Sequence, residues 1–211
     1  MNNKIDTFIF DLDGVLVDAC DWHYDALNYA LQKNNFSSIS IEEHNNLYNG
    51  LPTKTKLKMI GLSENEIEAV SIDKQNITLD IIKEKCLRDK GKISFLNYLK
   101  EKNIKVGCVT NSIKKTTMAM LCNSGIIDFI DEIITNEDVR IPKPNPEGYI
   151  KMLNSLKSSP ETTIIVEDSQ KGIEAAVKTK CFLWIVKNAT MVNKENLSLY
   201  LSINNLEIRD G

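Results

Sequence analysis

Arginine is nearly missing from this chain. Arg88, Arg140 and Arg209 are three of its 26 cationic residues, so bidentate forks for phosphate are scarce and lysine must carry most anion recognition. Cysteine lacks any pairing pattern: Cys20, Cys86, Cys108, Cys122 and Cys181 are an odd number with no C-x-x-C spacing. Neither a disulfide framework nor a zinc site is suggested, and a reducing compartment is favoured. The five read as small buried hydrophobes, Cys108 especially. No apolar stretch approaches the length of a membrane span. From Asn2-Asn3-Lys4 the chain reaches Asp11 and Asp13 after one short apolar run, too short and too quickly acidic for a signal peptide, so a cytoplasmic protein is expected. Basic clusters are absent too: net charge is -3 with scattered cations, which leaves no electrostatic footprint for nucleic acid. The expectation is a monomer whose partner is a small molecule, with no nucleic acid and no membrane. The motifs G-x-x-x-x-G-K-S/T, G-x-G-x-x-G, G-x-S-x-G and H-E-x-x-H do not occur. P-loop nucleotide hydrolysis, dinucleotide chemistry, serine hydrolysis and zinc proteolysis therefore lose support.

What is present is an alternation of strand and helix patterns over 211 residues, enough for one large domain or two modest ones. Five apolar runs read as strands: Ile5 to Phe10, Ile104 to Val109, Glu132 to Thr135, Thr163 to Val166 and Cys181 to Val186. Between the later ones lie helical spacings such as Phe95, Leu96 and Leu99, or Ile173, Ala176 and Val177. This alternation implies an α/β fold, a mainly parallel sheet with helices on both sides. Residues 18–88 break the pattern, with helical periodicity (Ala26, Leu27, Ala30, Leu31; Ile77, Ile81, Ile82) and no convincing strand. They read as an inserted helical subdomain. Within it, Asn49-Gly50-Leu51-Pro52-Thr53 is a turn leading into a helix with Lys54, Lys56 and Lys58.

Polar residues follow three of the strand candidates: Asp11 and Asp13, Thr110, and Glu167 and Asp168. The carboxyl ends of parallel strands share one edge, where ligands bind, so these side chains converge. Four carboxylates brought together repel unless a cation joins them, and an all-oxygen ligand set suits a hard ion such as magnesium. Lys143, between Pro142 and Pro144, is an ammonium on a stiffened loop and suits phosphate charge. Each residue also has an ordinary reading, with Asp13 in a turn, Ser112 and Ser169 as helix caps, and Lys143 solvated. Those readings do not explain why all of them fall just after apolar strands.

In order, Phe10-Asp11-Leu12-Asp13-Gly14-Val15, Val109-Thr110-Asn111-Ser112, Lys143-Pro144-Asn145-Pro146 and Val166-Glu167-Asp168-Ser169 resemble the four motifs of the haloacid dehalogenase superfamily. The helical insert after the first motif, with His23 on its first helix, looks like the β-phosphoglucomutase-like phosphatases. The resemblance implies a Rossmann-like catalytic core over residues 1–17 and 89–211 and a helical cap over 18–88. It implies a magnesium-dependent phosphatase acting on a small phosphomonoester, a sugar phosphate or a short polyol or amino-alcohol phosphate. Asp11 would be the nucleophile and Asp13 the acid and base. Thr110 and Asn111 would hold the phosphoryl oxygens, with Lys143 offsetting their charge. Asp11, the carbonyl oxygen of Asp13, and Asp168 would ligate metal, with Glu167 doing so directly or through water.

The insert is less decisive. His23 is open between a structural and a functional role. Asn49, Thr53 and Lys54 are candidates for substrate contact, although Lys54 and Lys58, one helical turn apart, also read as a solvated face. Relative to a phosphomutase the sequence departs at three positions: Thr53 aligns with an arginine, Gln75 with a cap lysine, and Ala19 with a hydroxyl residue. A non-catalytic phosphate-binding regulator would have lost one of Asp11, Asp13, Lys143 or Asp168, and all four are present.

Overall fold

A computed structural model describes residues 3–209. Its centre is a five-stranded parallel sheet in the order β4 (Glu132–Ile134), β3 (Lys105–Val109), β2 (Thr7–Phe10), β5 (Thr163–Glu167), β6 (Phe182–Ile185). The register puts Phe10 opposite both Cys108 and Val166, so the central strands finish at one level. All four residues of β2 are buried, as expected of a parallel strand covered on both faces. Alternate side chains feed two cores. Phe8, Phe10, Val106, Cys108, Ile164 and Val166 join α5 (Lys90–Glu101) and α6 (Lys114–Ser124) in one. Ile9, Val109 and Ile165 pack in the other against α7 (Glu147–Ser155) and α8 (Gln170–Val177).

The run from Ile5 to Phe10 is not one strand. It divides at Asp6, and β1 (Asn3–Ile5) leaves the main sheet to pair in parallel with β7 (Leu206–Ile208), which follows α9 (Lys194–Asn204). The cause is local: the backbone of Asp6 bonds Thr162 and Lys105, whereas the carbonyl of Ile5 accepts from Arg209 N. The other four candidates form strands, each within a residue or two of the expected limits.

Between β2 and α5 the chain is helical: α1 (Cys20–Lys33), α2 (Ile41–Glu43), a π-helical turn His44–Tyr48, α3 (Thr53–Ile60) and α4 (Glu64–Lys85). Ser63 and Glu66 form a capping box that starts α4. Leu27, Leu31, Tyr48, Leu57, Ile67 and Val70 make a core of their own, while Ile82 and Cys86 at the end of α4 belong to the main core. One buried cation ties distant segments together. Lys92 donates to the carbonyls of Val15 (3.2 Å), Ala189 (2.7 Å) and Val192 (3.0 Å), and burial lowers its pKa to about 8. Among the described residues no helix is long and apolar enough to cross a membrane.

Candidate active site

Asp11 extends β2 by one ladder bond, Asp11 N to Val166 O at 3.0 Å, and then the chain turns. Gly14 makes the turn possible: its φ is +86°, and a Cβ there would collide with the Asp168 carboxylate. Lys143 Nζ lies 2.6 Å from Asp11 Oδ1, 2.6 Å from Glu167 Oε1 and 2.8 Å from Val109 O, with the Tyr149 ring below it. Glu167 is fully buried and entirely engaged. Oε1 accepts from Lys143 and Tyr149, and Oε2 from Asp168 N and the Ser169 backbone and hydroxyl. The absence of a Cβ on Gly172 leaves room for it. Ser169 caps α8, as one expectation had it; Ser112 caps nothing and donates to Asp13 Oδ2 at 2.7 Å.

The electrostatics disfavour charge on two of these carboxyls. Burial first, then Glu167, Asp168 and Asp13, push the Asp11 carboxyl up against the pull of Lys143. Burial, then Glu167 and Asp13, raise Asp168 to about 7. Carboxylate oxygens of Asp11, Glu167 and Asp168 all lie within 4.8 Å of one another, and Asp168 Oδ1 is buried without a hydrogen-bond partner. This oxygen-only cluster with an orphaned carboxylate oxygen fits a hard divalent ion. The Asp13 carboxylate is turned elsewhere: His23 Nε2 sits 2.8 Å from its Oδ1, with Ser112 on its other oxygen. Burial would raise Asp13, but His23, Ser112 and Lys74 outweigh it and bring it down to about 2. Lys74 Nζ lies 3.0 Å from His23 Nδ1. With Lys74 donating there, the ring carries its proton on Nε2 and donates it to Asp13, and burial with the Lys74 charge keeps His23 neutral.

A cavity of about 390 Å³ lies between the strand ends and α3 and α4, lined among others by Asp11, Asp13, Thr110, Asn111, Lys143 and Asp168. Asn111 bridges its two sides, giving Nδ2 to Gly50 O (2.8 Å) and accepting Lys143 N on Oδ1 (3.1 Å). Thr110 anchors its loop by accepting Ser112 N at 3.0 Å. His23, Asn49, Thr53 and Lys54 also line the cavity, although the Lys54 ammonium pairs outward with Glu68 at 3.3 Å and is largely exposed. Lys74 escaped the sequence reading, which has Ser112 as a helix cap and Lys56 as one lysine of the helix after the Gly-Pro turn. Gln75 does line the cavity, but the cation facing His23 comes from Lys74, one residue earlier. Cys20 stands 3.9 Å from Asp168, while Cys122, expected inside, is exposed.

The sequence pattern of the haloacid dehalogenase-like hydrolases matches residues 8–186. The chain belongs to that family. Among curated haloacid dehalogenase relatives, a phosphorylated carbohydrates phosphatase of Thermotoga maritima is 26% identical over 179 residues, covering 82% of this chain and 80% of that protein. A pyrophosphatase of Bacillus thuringiensis is 26% identical over 197 residues, 87% and 86% of the two chains. Among solved structures, a β-phosphoglucomutase from Clostridium difficile superimposes with a TM-score of 0.81 at 25% identity, over 94% of this chain and 98% of that one.

Proposed function

We propose that this haloacid dehalogenase-like hydrolase is a magnesium-dependent phosphatase that cleaves a small phosphomonoester through a phosphoaspartate on Asp11. The observation that carries the reading is the pairing of Asp11 Oδ1 with Lys143 at 2.6 Å, with no bond to Oδ2 among the described residues. One carboxylate oxygen is pinned and the other is left to attack phosphorus. The new Oδ2–P bond forms as the ester P–O bond breaks, and the leaving alkoxide takes a proton from Asp13. Asp13 rests ionised, and the approach of an anionic phosphate favours its protonation. It then withdraws a proton from the water that attacks phosphorus, which releases phosphate and restores Asp11. Thr110, the amides beside Asn111 and Lys143 bind the phosphoryl oxygens. Asp11, Asp168 and the carbonyl oxygen of Asp13 would hold magnesium, which when bound offsets the phosphoryl charge. Glu167, with oxygens that accept from Lys143, Tyr149 and the Asp168–Ser169 turn, would fix the side chains around that metal.

Residues 18–88 act as a cap on the core of 1–17 and 89–211, whose first and last two residues lie outside the described structure. Its closure excludes water. The names of the relatives support a phosphorylated small molecule as substrate. The direct test is Asp11→Asn. Wild-type protein quenched during turnover of p-nitrophenyl phosphate carries one phosphoryl group by mass spectrometry. The variant carries none and loses at least ~10³-fold in kcat, in the range of lost catalytic groups. Turnover within a few-fold of wild type ends the assignment.

A second reading, sugar phosphomutase, is favoured by the likeness to β-phosphoglucomutase and by the buried lysines over the cavity. With β-glucose 1-phosphate and a trace of the bisphosphate, we expect inorganic phosphate to outrun glucose 6-phosphate; the reverse selects the mutase.

A further inference from the structure

Asp11, Lys56 and Lys143 are buried on the wall of the cavity, and Glu167 is bound to Lys143. Lys92 is buried as well, at 3% exposed, but it lies outside the cavity. Its ammonium meets no carboxylate among the described residues and gives its three protons to the carbonyls of Val15, Ala189 and Val192. Stability alone does not explain a charge in this place. A buried ammonium is costly, and an apolar side chain of similar volume serves a core as well or better. Lys92 also stands in the first turn of α5, the end of a helix that disfavours positive charge. The Val15 carbonyl is the informative acceptor. Val15 is fully buried, and its carbonyl has no other donor among the described residues. It belongs to the turn that carries Asp13. In that turn Leu12 O accepts the amides of Val15, Leu16 and Val17, and Gly14 N donates to Val17 O at 2.7 Å, so residues 12–17 move as one piece.

We propose that Lys92 is a positioning residue for the acid and base step: its ammonium fixes the turn of residues 12–17 from behind, so that Asp13 meets the leaving oxygen. This rests on the phosphatase reading and deepens it. As the ester P–O bond breaks, the proton passes from the Asp13 carboxyl to the departing alkoxide, and Lys92 takes no part in that transfer. It acts through the backbone, from Nζ to Val15 O at 3.2 Å and through two residues of closed turn to Asp13. The front of the turn is held by His23 and Ser112 on the Asp13 carboxylate. The back is tied by the ammonium to the segment after β6, at 2.7 Å from Ala189 O and 3.0 Å from Val192 O. Asp89 secures the start of α5 by accepting Lys92 N at 2.9 Å. An apolar side chain in the same space leaves the Val15 carbonyl buried without a donor, and the turn relaxes to find one. A displacement of about 1 Å at Asp13 is enough to lose on the order of 10²-fold in rate.

The test compares substrates that differ in their need for an acid. With magnesium present, kcat/KM is measured for wild type and Lys92→Met on an alkyl phosphate, glycerol 3-phosphate or glucose 6-phosphate, and on p-nitrophenyl phosphate. The alkoxide must take a proton to leave, and the nitrophenolate leaves without one. The ratio kcat/KM reports the steps through release of the alcohol, ahead of water attack. The expected loss is on the order of 10- to 100-fold for the alkyl phosphate and less than about threefold for p-nitrophenyl phosphate. Lys92→Ala supplied with n-propylammonium, which replaces the missing stem and amine, recovers most of the difference. No loss, or an equal loss on both substrates as general damage to the fold would give, overturns the proposal. Should neither variant fold unaided, Lys92→Ala is refolded with n-propylammonium or with ethylammonium, one carbon short, and the substrate-dependent loss must appear with ethylammonium. A second readout needs no turnover. The chain has two histidines, so the proton that His23 Nε2 gives to Asp13 is readily assigned by NMR. Its resonance should shift in Lys92→Met and return in Lys92→Ala with n-propylammonium; an unmoved resonance overturns the proposal. If wild type cleaves no alkyl phosphate, this resonance alone decides. If it cleaves no phosphate ester at all, the phosphatase reading falls and the resonance still judges whether Lys92 positions Asp13.

Discussion

The cluster of Asp11, Glu167 and Asp168 makes a quantitative demand on metal and pH together. Asp168 moves from 3.8 to about 7 on folding without a cation. Its contribution to stability is therefore fully present below pH 4 and lost as pH rises through about 7. Between pH 5 and pH 8 the proton affinity at stake is about two powers of ten, or ~3 kcal/mol at ~1.4 kcal/mol each. His44 works in the opposite direction: its folded pKa of about 4 lies below the unfolded one, so the protein gains stability as pH rises from about 4 to the unfolded value near 6.5. A melting curve at one metal concentration mixes the two.

Their difference separates them, because His44 contributes equally with and without metal. A cation that replaces the proton on Asp168 must compete with it at pH 5 and hardly at all at pH 8. The stabilisation on going from chelator to saturating magnesium should be larger at pH 8 than at pH 5 by up to ~3 kcal/mol, read as a larger rise in Tm. Halved for screening to ~1.5 kcal/mol, the gap corresponds to about 3–6 °C for a domain of this size. Scanning calorimetry at the two pH values, with and without magnesium, measures it. A magnesium increment that is equal at both, or larger at pH 5, refutes the reasoning that places a divalent ion on these carboxylates.

Two shorter predictions concern the buried partners. Lys143→Met leaves Asp11 and Glu167 as neighbouring buried carboxylates without their shared cation, and should cost ~3–5 kcal/mol of stability in metal-free protein, visible in urea unfolding; a loss below ~1 kcal/mol would show that the pair gains little from Lys143. His23→Leu removes one of the two side-chain donors that hold Asp13 low, and because Asp13 must carry a proton to the leaving alkoxide, the limb on which kcat/KM falls with rising pH should move upward by about one pH unit. An unmoved limb would show that Asp13 is not the group being titrated.

Asp11, Asp13, Lys143 and Asp168 were legible because a parallel sheet gives polar residues after apolar strands a common address. The register of Phe10 with Cys108 and Val166 delivers them there. The far wall was not legible for a reason visible in α4. Ile67, Ser71, Lys74, Thr78 and Ile82 recur at spacings of three and four and lie on one stripe of the helix. Read as periodicity the stripe is core, and its polar members look like interruptions; in the structure Ser71, Lys74 and Thr78 line the cavity. Polar residues interrupting an apolar stripe at helical spacing were the available signal. Ser112 was hidden differently, since a serine before a helix is most simply a cap. The parting of β1 from β2 had no sequence mark at all, because it depends on β7, a three-residue strand about two hundred residues away.

The three carbonyls around Lys92 bear on where this protein tolerates remodelling. Loops between a last strand and a last helix are ordinarily the places to graft a tag, a loop or a permuted terminus. Here the segment carrying Ala189 and Val192 is moored by a buried ammonium to Val15, two residues beyond Asp13. An insertion that shifts either carbonyl strips an acceptor from the amine and lets slack into the turn that aims Asp13. The loop after β6 is thus a tuning point for the acid and base of the site, whereas the loop between α7 and β5 meets the sheet at the other ends of the strands, beside Asp6 and away from Asp13.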